Sequence, residues 1–569
     1  MAIDFKLEKL TGHARDAKLC KINIAPGDEV SVGDILFEAE SKKGNISIKS
    51  NAIGKVASIH VDEGDTVKIG DLLARIEGEV CAGKAESPAS KGGYFAGLIK
   101  PSKEDIEVDI AIIGGGPGGY VAALHAAKLG ASVVVAEKES IGGTCLNWGC
   151  IPTKTFVRSA HLLEDMKSSS SYGINCDNIN IDMGAIVDRK NSVKSELVGG
   201  IEFLFEKKGI KLVKGDAELV EKDKVVIKGS RCETTVIAKN VIIATGSESS
   251  VIPIPGIESS NVVTSTELLD IQEVPERLVV VGGGVIGMEF AFIFSSLGSH
   301  VSVVEYMDSI LPMLDADVCE EITAIAQESG ISINTGSKVK QILSGENGES
   351  IVVFESEGVD RYVCADKILI SVGRKPRLDG VDVQKLGIEL NINGRGIKVD
   401  DRLSTNIEGV YAIGDVTNRL QLAHVASHQG IVAVDNIMGV DSLMDYSVVP
   451  SAIFTMPEIA TVGLCEKELA ENGADVEIGK FPFGANGKAL TLGESRGFVK
   501  MIKDKTTGKI LGSTIIGPNA TDLIAEVALA VKNGLTANDI IHTIHAHPTT
   551  AESIHEAALS VEGGALHFE

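Results

Sequence analysis

The sequence predicts a mixed α/β and α+β protein: a small β-sandwich, two parallel-sheet α/β units, and an α+β C-terminal domain. Three observations predict it. A 15-residue pattern occurs twice near the start, as PGDEVSVGDILFEAE from Pro26 and EGDTVKIGDLLARIE from Glu63. A strand, Gly-rich turn, helix, strand pattern also occurs twice, from Val108 (VDIAIIGGGPGGYVAALHAAKLGASVVVAE) and from Arg277 (RLVVVGGGVIGMEFAFIFSSLGSHVSVVE). After about Ser447 the patterning changes to mixed short strands and helices.

Each copy of the first repeat holds two Gly-Asp turns separated by alternating apolar residues. That is the pattern of short strands joined by tight turns, and two such halves make a pseudo-symmetric sandwich over residues 1–79. Residues 80–105 are rich in Ala, Gly, Ser, Pro and Lys and lack periodicity. They read as a linker, whose r.m.s. span, if flexible, is roughly 25–30 Å. The α/β region divides at 106–252, 253–376 and 377–447, and the α+β domain occupies 448–569. A chain of 569 residues accommodates this many domains.

The net charge of −25 disfavours nucleic acid and anionic membranes as partners. No apolar run reaches the ~20 residues that span a bilayer. The opening MAIDFKLEKL carries charges where a signal peptide is apolar. A cytoplasmic protein is expected.

Both βαβ patterns carry a dinucleotide-binding fingerprint, which makes these units Rossmann-like. In the first, Gly114 allows a tight turn, Gly116 lets the backbone approach a pyrophosphate, and Gly119 lets helix and strand pack closely. Glu137 lies 23 positions after Gly114 at the end of the next strand, placed to hold a ribose hydroxyl. In the second, Gly282, Gly284 and Gly287 repeat the spacing, and Glu305 again lies 23 positions on. A carboxylate there repels a 2′-phosphate, and Tyr306, Met307 and Asp308 include no Arg or Lys, so NAD is favoured over NADP.

The nine cysteines form an odd, scattered set, which argues against a secreted disulfide framework. Only Cys145 and Cys150 are close together, in GGTCLNWGCIPTK. They are either a redox pair or two buried thiols. In an ideal helix their Cα atoms would stand roughly 8–9 Å apart, whereas a disulfide needs less than ~7 Å. If they bond, the backbone here departs from a regular helix, and Gly149 permits that.

This motif occurs with TGS at Thr245, SVGRKP at Ser371, YAIGDV at Tyr411, LAHVASHQG at Leu422 and HAHPTTAE at His545. Together they resemble the pyridine nucleotide–disulfide oxidoreductases, and among these the dihydrolipoamide dehydrogenases, from about Ile106 to Glu569. The resemblance implies that Cys145 meets the substrate and that Cys150 passes electrons to FAD. It places Lys154, paired with Glu289, near the reactive flavin nitrogen. It makes His547 the acid–base catalyst, oriented by Glu552 and supplied across a homodimer. Gly114, Gly116, Gly119, Glu137, Lys154, Thr245, Gly246, Asp415 and Ala423 would bind FAD. Gly282, Gly284, Gly287, Glu305 and Gly373 would bind NAD. The chemistry suits these parts: a thiolate is the attacking species, and a base must take protons from the dithiol.

Blander readings stand beside these. His542, His545 and His547 could ligate a metal, although no Cys or carboxylate cluster accompanies them and no metal is expected. Glu289 could be a helix-surface residue. Trp148 departs from the small aliphatic residue common in the family. No cysteine follows Cys465, so the C-terminal redox pairs of mercuric reductases and large thioredoxin reductases are missing.

The first domain resembles a lipoyl domain, with Lys43 in Glu40-Ser41-Lys42-Lys43-Gly44 aligned to the lipoylated residue. Lys42 replaces an acidic residue and Gly44 replaces Ala. Biotinyl domains want Met on both sides of the Lys, which is not seen. Three roles follow: Lys43 carries a swinging lipoyl arm, the domain only docks the enzyme onto a complex, or Lys43 is a plain surface residue. The implied partner is a lipoylated acyltransferase or carrier protein of a 2-oxoacid, acetoin or glycine-cleavage complex. A non-catalytic flavoprotein and a reductase of some other disulfide are the alternatives.

Overall fold

The repeated Gly-Asp turns fold as local chemistry dictates. In the computed structural model, Asp28 accepts a hydrogen bond from the Ala25 N–H at 2.8 Å, and Asp65 accepts one from the Asp62 N–H at 2.9 Å. The preceding glycines, Gly27 and Gly64, take φ of +104° and +100°, which glycine adopts without a Cβ clash. The strands they launch form two four-stranded antiparallel sheets. One runs Ala2–Lys6, Leu72–Val80, Ala52–Ile59, Glu29–Val30; the other runs Gly44–Lys49, Ile35–Ser41, Asp16–Ile22, Thr66–Lys68. Each repeat sends its short strand into one sheet and its long strand into the other, which closes the sandwich. Leu19, Val30, Val67 and Leu73 fill it, with Phe5 and Phe37 stacked at 6.4 Å.

The structure describes residues 2–7, 16–30, 34–41, 44–50, 52–68, 70–80 and 102–568. Met1–Lys100 and Pro101–Glu569 are separate units. Most of the segment read as a linker lies outside the described residues. Its last four residues open the strand Ser102–Ile113, which pairs with Cys232–Ile243 along its whole length.

Four sheets of the second unit position the site. The first has a parallel core in the order Lys211–Lys214, Val133–Glu137, Ser102–Ile113, Cys232–Ile243, Val410–Ala412. Val133–Glu137 is buried throughout, as expected of a parallel strand covered on both faces. The second, also parallel, runs Val262–Val263, Lys367–Ile370, Arg277–Val281, His300–Val304, Ser332–Asn334. Between these domains Ser247–Ser249 pairs antiparallel with Arg374–Pro376, where the chain leaves one domain and returns to it. The C-terminal domain is a five-stranded antiparallel sheet followed by the helices Ala520–Lys532, Ala537–Ile541 and Glu552–Ser560. No helix among the described residues is long and apolar enough to cross a membrane.

Candidate active site

The two fingerprints fold alike. Gly114 and Gly282 both have φ of +106°. A Cβ on Gly119 would lie 1.9 Å from the Gly114 carbonyl oxygen, and one on Gly287 would lie 1.9 Å from that of Gly282. Helix and turn touch because no side chain stands between them. Gly116 and Gly284 are different: a Cβ on Gly284 would meet nothing within 4 Å, and one on Gly116 only the Gly143 Cα at 3.9 Å. Bare backbone therefore faces open space at the N-termini of Pro117–Lys128 and Val285–Ser296, where a pyrophosphate is best held.

The two acidic residues are also matched. Glu137 accepts from the N–H groups of Gly115 (2.8 Å) and Glu139 (2.7 Å). Glu305 accepts from Gly283 (2.5 Å) and Met307 (2.7 Å). Each carboxylate is thereby fixed at its strand end, beside its glycine turn. Ser371 packs on the second turn, donating to the Gly282 carbonyl at 3.0 Å, and Gly373 follows it with φ of +109°.

A cavity of about 840 Å³ begins at the first turn, within the ~300–1,000 Å³ typical of cofactor sites. Its lining brings together Gly114, Gly116 and Glu137, Thr245, Gly246, Asp415 and Ala423, and Cys145, Cys150, Lys154 and Glu289. Asp415 is half-buried, and its desolvation pushes the carboxyl up against the opposing pull of Ser247 and Arg374. Ser247 Oγ donates to it at 2.5 Å, and Arg374 donates to the Ser247 Oγ and carbonyl at 2.8 Å each. Ser247 and Arg374 were not singled out from sequence. Both sit within or beside the TGS and SVGRKP stretches, but a lone Ser or Arg carries no signal until the domain crossover brings them together.

The cysteine pair sits where the helix breaks. Gly143–Asn147 is one short helix, Trp148 leaves helical geometry at φ −142°, and a new helix, Cys150–Ser168, starts after Gly149. Both cysteines are free thiols here. Hydrogen bonding to Cys145 lowers the Cys150 thiol to about 7, against burial and with help from the Lys154 ammonium. The same bond and burial push Cys145 up. The pair therefore yields one thiolate near neutral pH, held by the other S–H.

Behind the pair, the Lys154 ammonium donates to both Glu289 carboxylate oxygens at 2.9 Å. Glu289 is 4% exposed, so it is no helix-surface residue. It also accepts the Phe454 N–H at 3.0 Å. No pattern in the sequence pointed to Phe454.

His547 stands elsewhere. Its Nδ1 is 2.8 Å from Glu552 Oε1, and the Thr549 N–H donates to the other carboxylate oxygen at 2.9 Å. Burial opposes ionisation of Glu552, but the Thr549 and His547 hydrogen bonds hold its carboxyl below the ordinary value. His547 does not line the cavity, and its side chain is 80% exposed. Within one chain the His547–Glu552 pair is assembled but faces outward. His545 turns away from it, with Nε2 2.9 Å from Glu526 Oε1 and Nδ1 2.9 Å from the Thr543 carbonyl. The histidines therefore do not converge on one point. Among the described residues, the group spaced to hold a metal is Asp315, Asp317 and Glu466, and the Lys500 ammonium sits among them.

Lys43 lies outside the described residues. The strands flanking it pair antiparallel with Ser41 opposite Gly44.

Residues 108–430 match the pyridine nucleotide-disulphide oxidoreductase family, and residues 449–558 match its dimerisation domain. Residues 11–76 match a domain described as biotin-requiring enzyme. The chain is 41% identical to a dihydrolipoyl dehydrogenase of Haloferax volcanii, over 81% of this chain and 97% of that one. It is 40% identical to a dihydrolipoyl dehydrogenase of Bacillus subtilis, over 81% of this chain and 98% of that one. Among solved structures it resembles the HOCl-induced flavoprotein disulfide reductase RclA of Escherichia coli. There the TM-score is 0.72 at 30% identity, covering 80% of this chain and 100% of that one.

Proposed function

The chain belongs to the pyridine nucleotide-disulphide oxidoreductase family, and on that premise we propose that it is a dihydrolipoamide dehydrogenase. It oxidises protein-bound dihydrolipoamide and reduces NAD+ to NADH. The observation that carries this reading is one cavity joining the first glycine turn to Cys145, Cys150, Lys154 and Glu289. The residues fit both cofactors: glycines open where pyrophosphates approach, and a carboxylate fixed at each strand end. The flavin and nicotinamide supply the hydride chemistry when bound.

The chain's own residues do the rest. A thiolate of dihydrolipoamide attacks Cys145 of the Cys145–Cys150 disulfide, and Cys150 leaves as a thiolate. The second substrate thiol then attacks the mixed disulfide, releasing cyclic lipoamide and leaving the pair as a dithiol. His547 accepts the substrate's proton, and Glu552 fixes its tautomer and stabilises the cation. Lys154 stabilises negative charge beside Cys150. Glu305 selects the unphosphorylated ribose of NAD. Because His547 faces outward in one chain, a second copy supplies it to the cavity, and the working unit is a homodimer in the cytoplasm.

The test is turnover on dihydrolipoamide, glutathione and a dithiol protein with NAD+ and with NADP+. Dihydrolipoamide with NAD+ is expected to exceed every other pairing by at least about 10²-fold, since a misplaced 2′-phosphate meets the Glu305 carboxylate. Preference for NADP+ or for another thiol would overturn the assignment.

The N-terminal domain carries a lipoyl group on Lys43, by its resemblance to lipoyl domains, and serves as a tethered arm. Intact mass is the check, on protein made in lipoate-supplied cells beside Lys43→Arg. One added lipoyl group is expected on the parent and none on the variant. An unmodified parent, from a host that lipoylates a control domain, would leave the dehydrogenase intact and make this domain a docking module for a 2-oxoacid, acetoin or glycine-cleavage complex.

A further inference from the structure

Three parts of the second unit meet at the Lys154 ammonium. Lys154 comes from the redox helix Cys150–Ser168, and Glu289 from the second fingerprint helix, Val285–Ser296. Phe454 follows the strand Ser451–Ile453 of the C-terminal domain. Its backbone N–H donates to Glu289 Oε1 at 3.0 Å, and its ring centroid lies 4.3 Å from Lys154 Nζ. Phe454 also packs against an apolar cluster shared by the redox helix, the second nucleotide-binding domain and the C-terminal strands.

An ammonium has three N–H donors and no acceptor. Glu289 takes two directions, one through each oxygen at 2.9 Å. The aromatic face occupies a further side, where water would otherwise sit. A cation over an aromatic face is held by the ring quadrupole, more strongly when desolvated. Charge that is kept dry also acts more strongly on its neighbours, because water no longer screens it.

We propose that Phe454 is a positioning residue for the redox step, its ring shielding one side of the Lys154 ammonium from water and holding it in place beside Cys150. This rests on the dithiol oxidoreductase reading above. Lys154 is among the groups that favour the Cys150 thiolate, so loosening it weakens the field in which the pair and its cofactor gain electrons. The Glu289 carboxylate alone fixes the distance of the ammonium but leaves the side now covered by the ring open to water.

Phe454→Leu keeps the backbone N–H and removes the ring face, whereas Phe454→Tyr keeps the face. Both are made in the full-length holoenzyme and equilibrated against known NADH/NAD+ ratios, with melting temperature measured alongside. Phe454→Leu is expected to shift the reduction equilibrium about threefold to tenfold toward the oxidised protein, at most about 30 mV for two electrons. Phe454→Tyr is expected to stay within about twofold of the parent, since the ring face is retained. If Phe454→Leu fails to accumulate, Phe454→Met serves as the ringless variant. A ringless variant with a lowered melting temperature but the parental equilibrium would make Phe454 a packing residue and overturn the proposal. So would a Tyr variant that shifts as far as Leu. Either failure leaves dihydrolipoamide oxidation itself standing, because that reading depends on Cys145 and not on this ring.

Discussion

Cys145→Ser is expected to lower dihydrolipoamide oxidation by at least about 10³-fold, because removing a nucleophile from a unit that acts together removes nearly all of its rate advantage. A hydroxyl cannot form the mixed disulfide, so the substrate thiolate has no sulfur to attack. Packing is little disturbed, since Ser is close to Cys in size and keeps a donor for the hydrogen bond that now lowers Cys150. Flavin content and melting temperature should stay near parental. Electron transfer from NADH to a small one-electron acceptor should persist, because hydride transfer at the nicotinamide does not pass through Cys145. The Cys150 thiolate should then titrate alone near neutral pH. Its fraction rises as pH climbs through about 7 in the parent, so its alkylation should accelerate over the same range. Dihydrolipoamide oxidation at a parental rate in Cys145→Ser would eliminate the redox-disulfide mechanism.

How far the sequence exposed all this depended on the range of each contact. The glycine turns were legible because their physics is local: Gly114 and Gly119 lie on one turn and the helix it opens, and the close approach of a missing Cβ to the Gly114 carbonyl follows from that spacing. A break near Gly149 was legible only on the condition that the pair bonds, since a pair five residues apart cannot bond across a regular helix; the helix breaks there with both thiols free. The Gly-Asp repeats announced the sandwich because Asp28 and Asp65 each cap their own turn. Long-range partners left little trace. Glu289 meets Lys154 across 135 residues of chain, and only resemblance suggested the pair. Phe454 reaches it from a third domain. An aromatic residue in IFTMPE reads as ordinary core, and only folding turns its ring toward an ammonium. Ser247 and Arg374 became a unit when the crossover strands paired. The outward direction of His547 was equally invisible, since exposure belongs to the folded surface.

That outward direction yields the most discriminating experiment. His547→Gln is expected to lower kcat/KM for dihydrolipoamide by about 10²–10⁴-fold, the range general-base catalysis contributes. Glu552 is the charged partner of the His547 ring, its carboxyl held below the ordinary value by Thr549 and His547 despite burial. Gln keeps a hydrogen-bonding side chain but cannot accept the proton, so the variant should need a higher pH, at which more of the substrate thiol is ionised without help, to recover part of the rate. The stronger consequence is complementation. If His547 of one copy serves the cavity of another, a mixed dimer of Cys145→Ser and His547→Gln chains has one doubly damaged site and one intact site. Random pairing makes half of all dimers mixed, so co-expression of two nearly inactive chains should restore roughly a quarter of the parental activity. Each chain alone, and the two mixed after folding without exchange, should restore none. An inactive co-expressed mixture in which hybrid dimers are shown to be present would place His547 in the cavity of its own chain, and its exposure in the isolated fold would then require a movement of the His547–Glu552 loop instead of a second subunit.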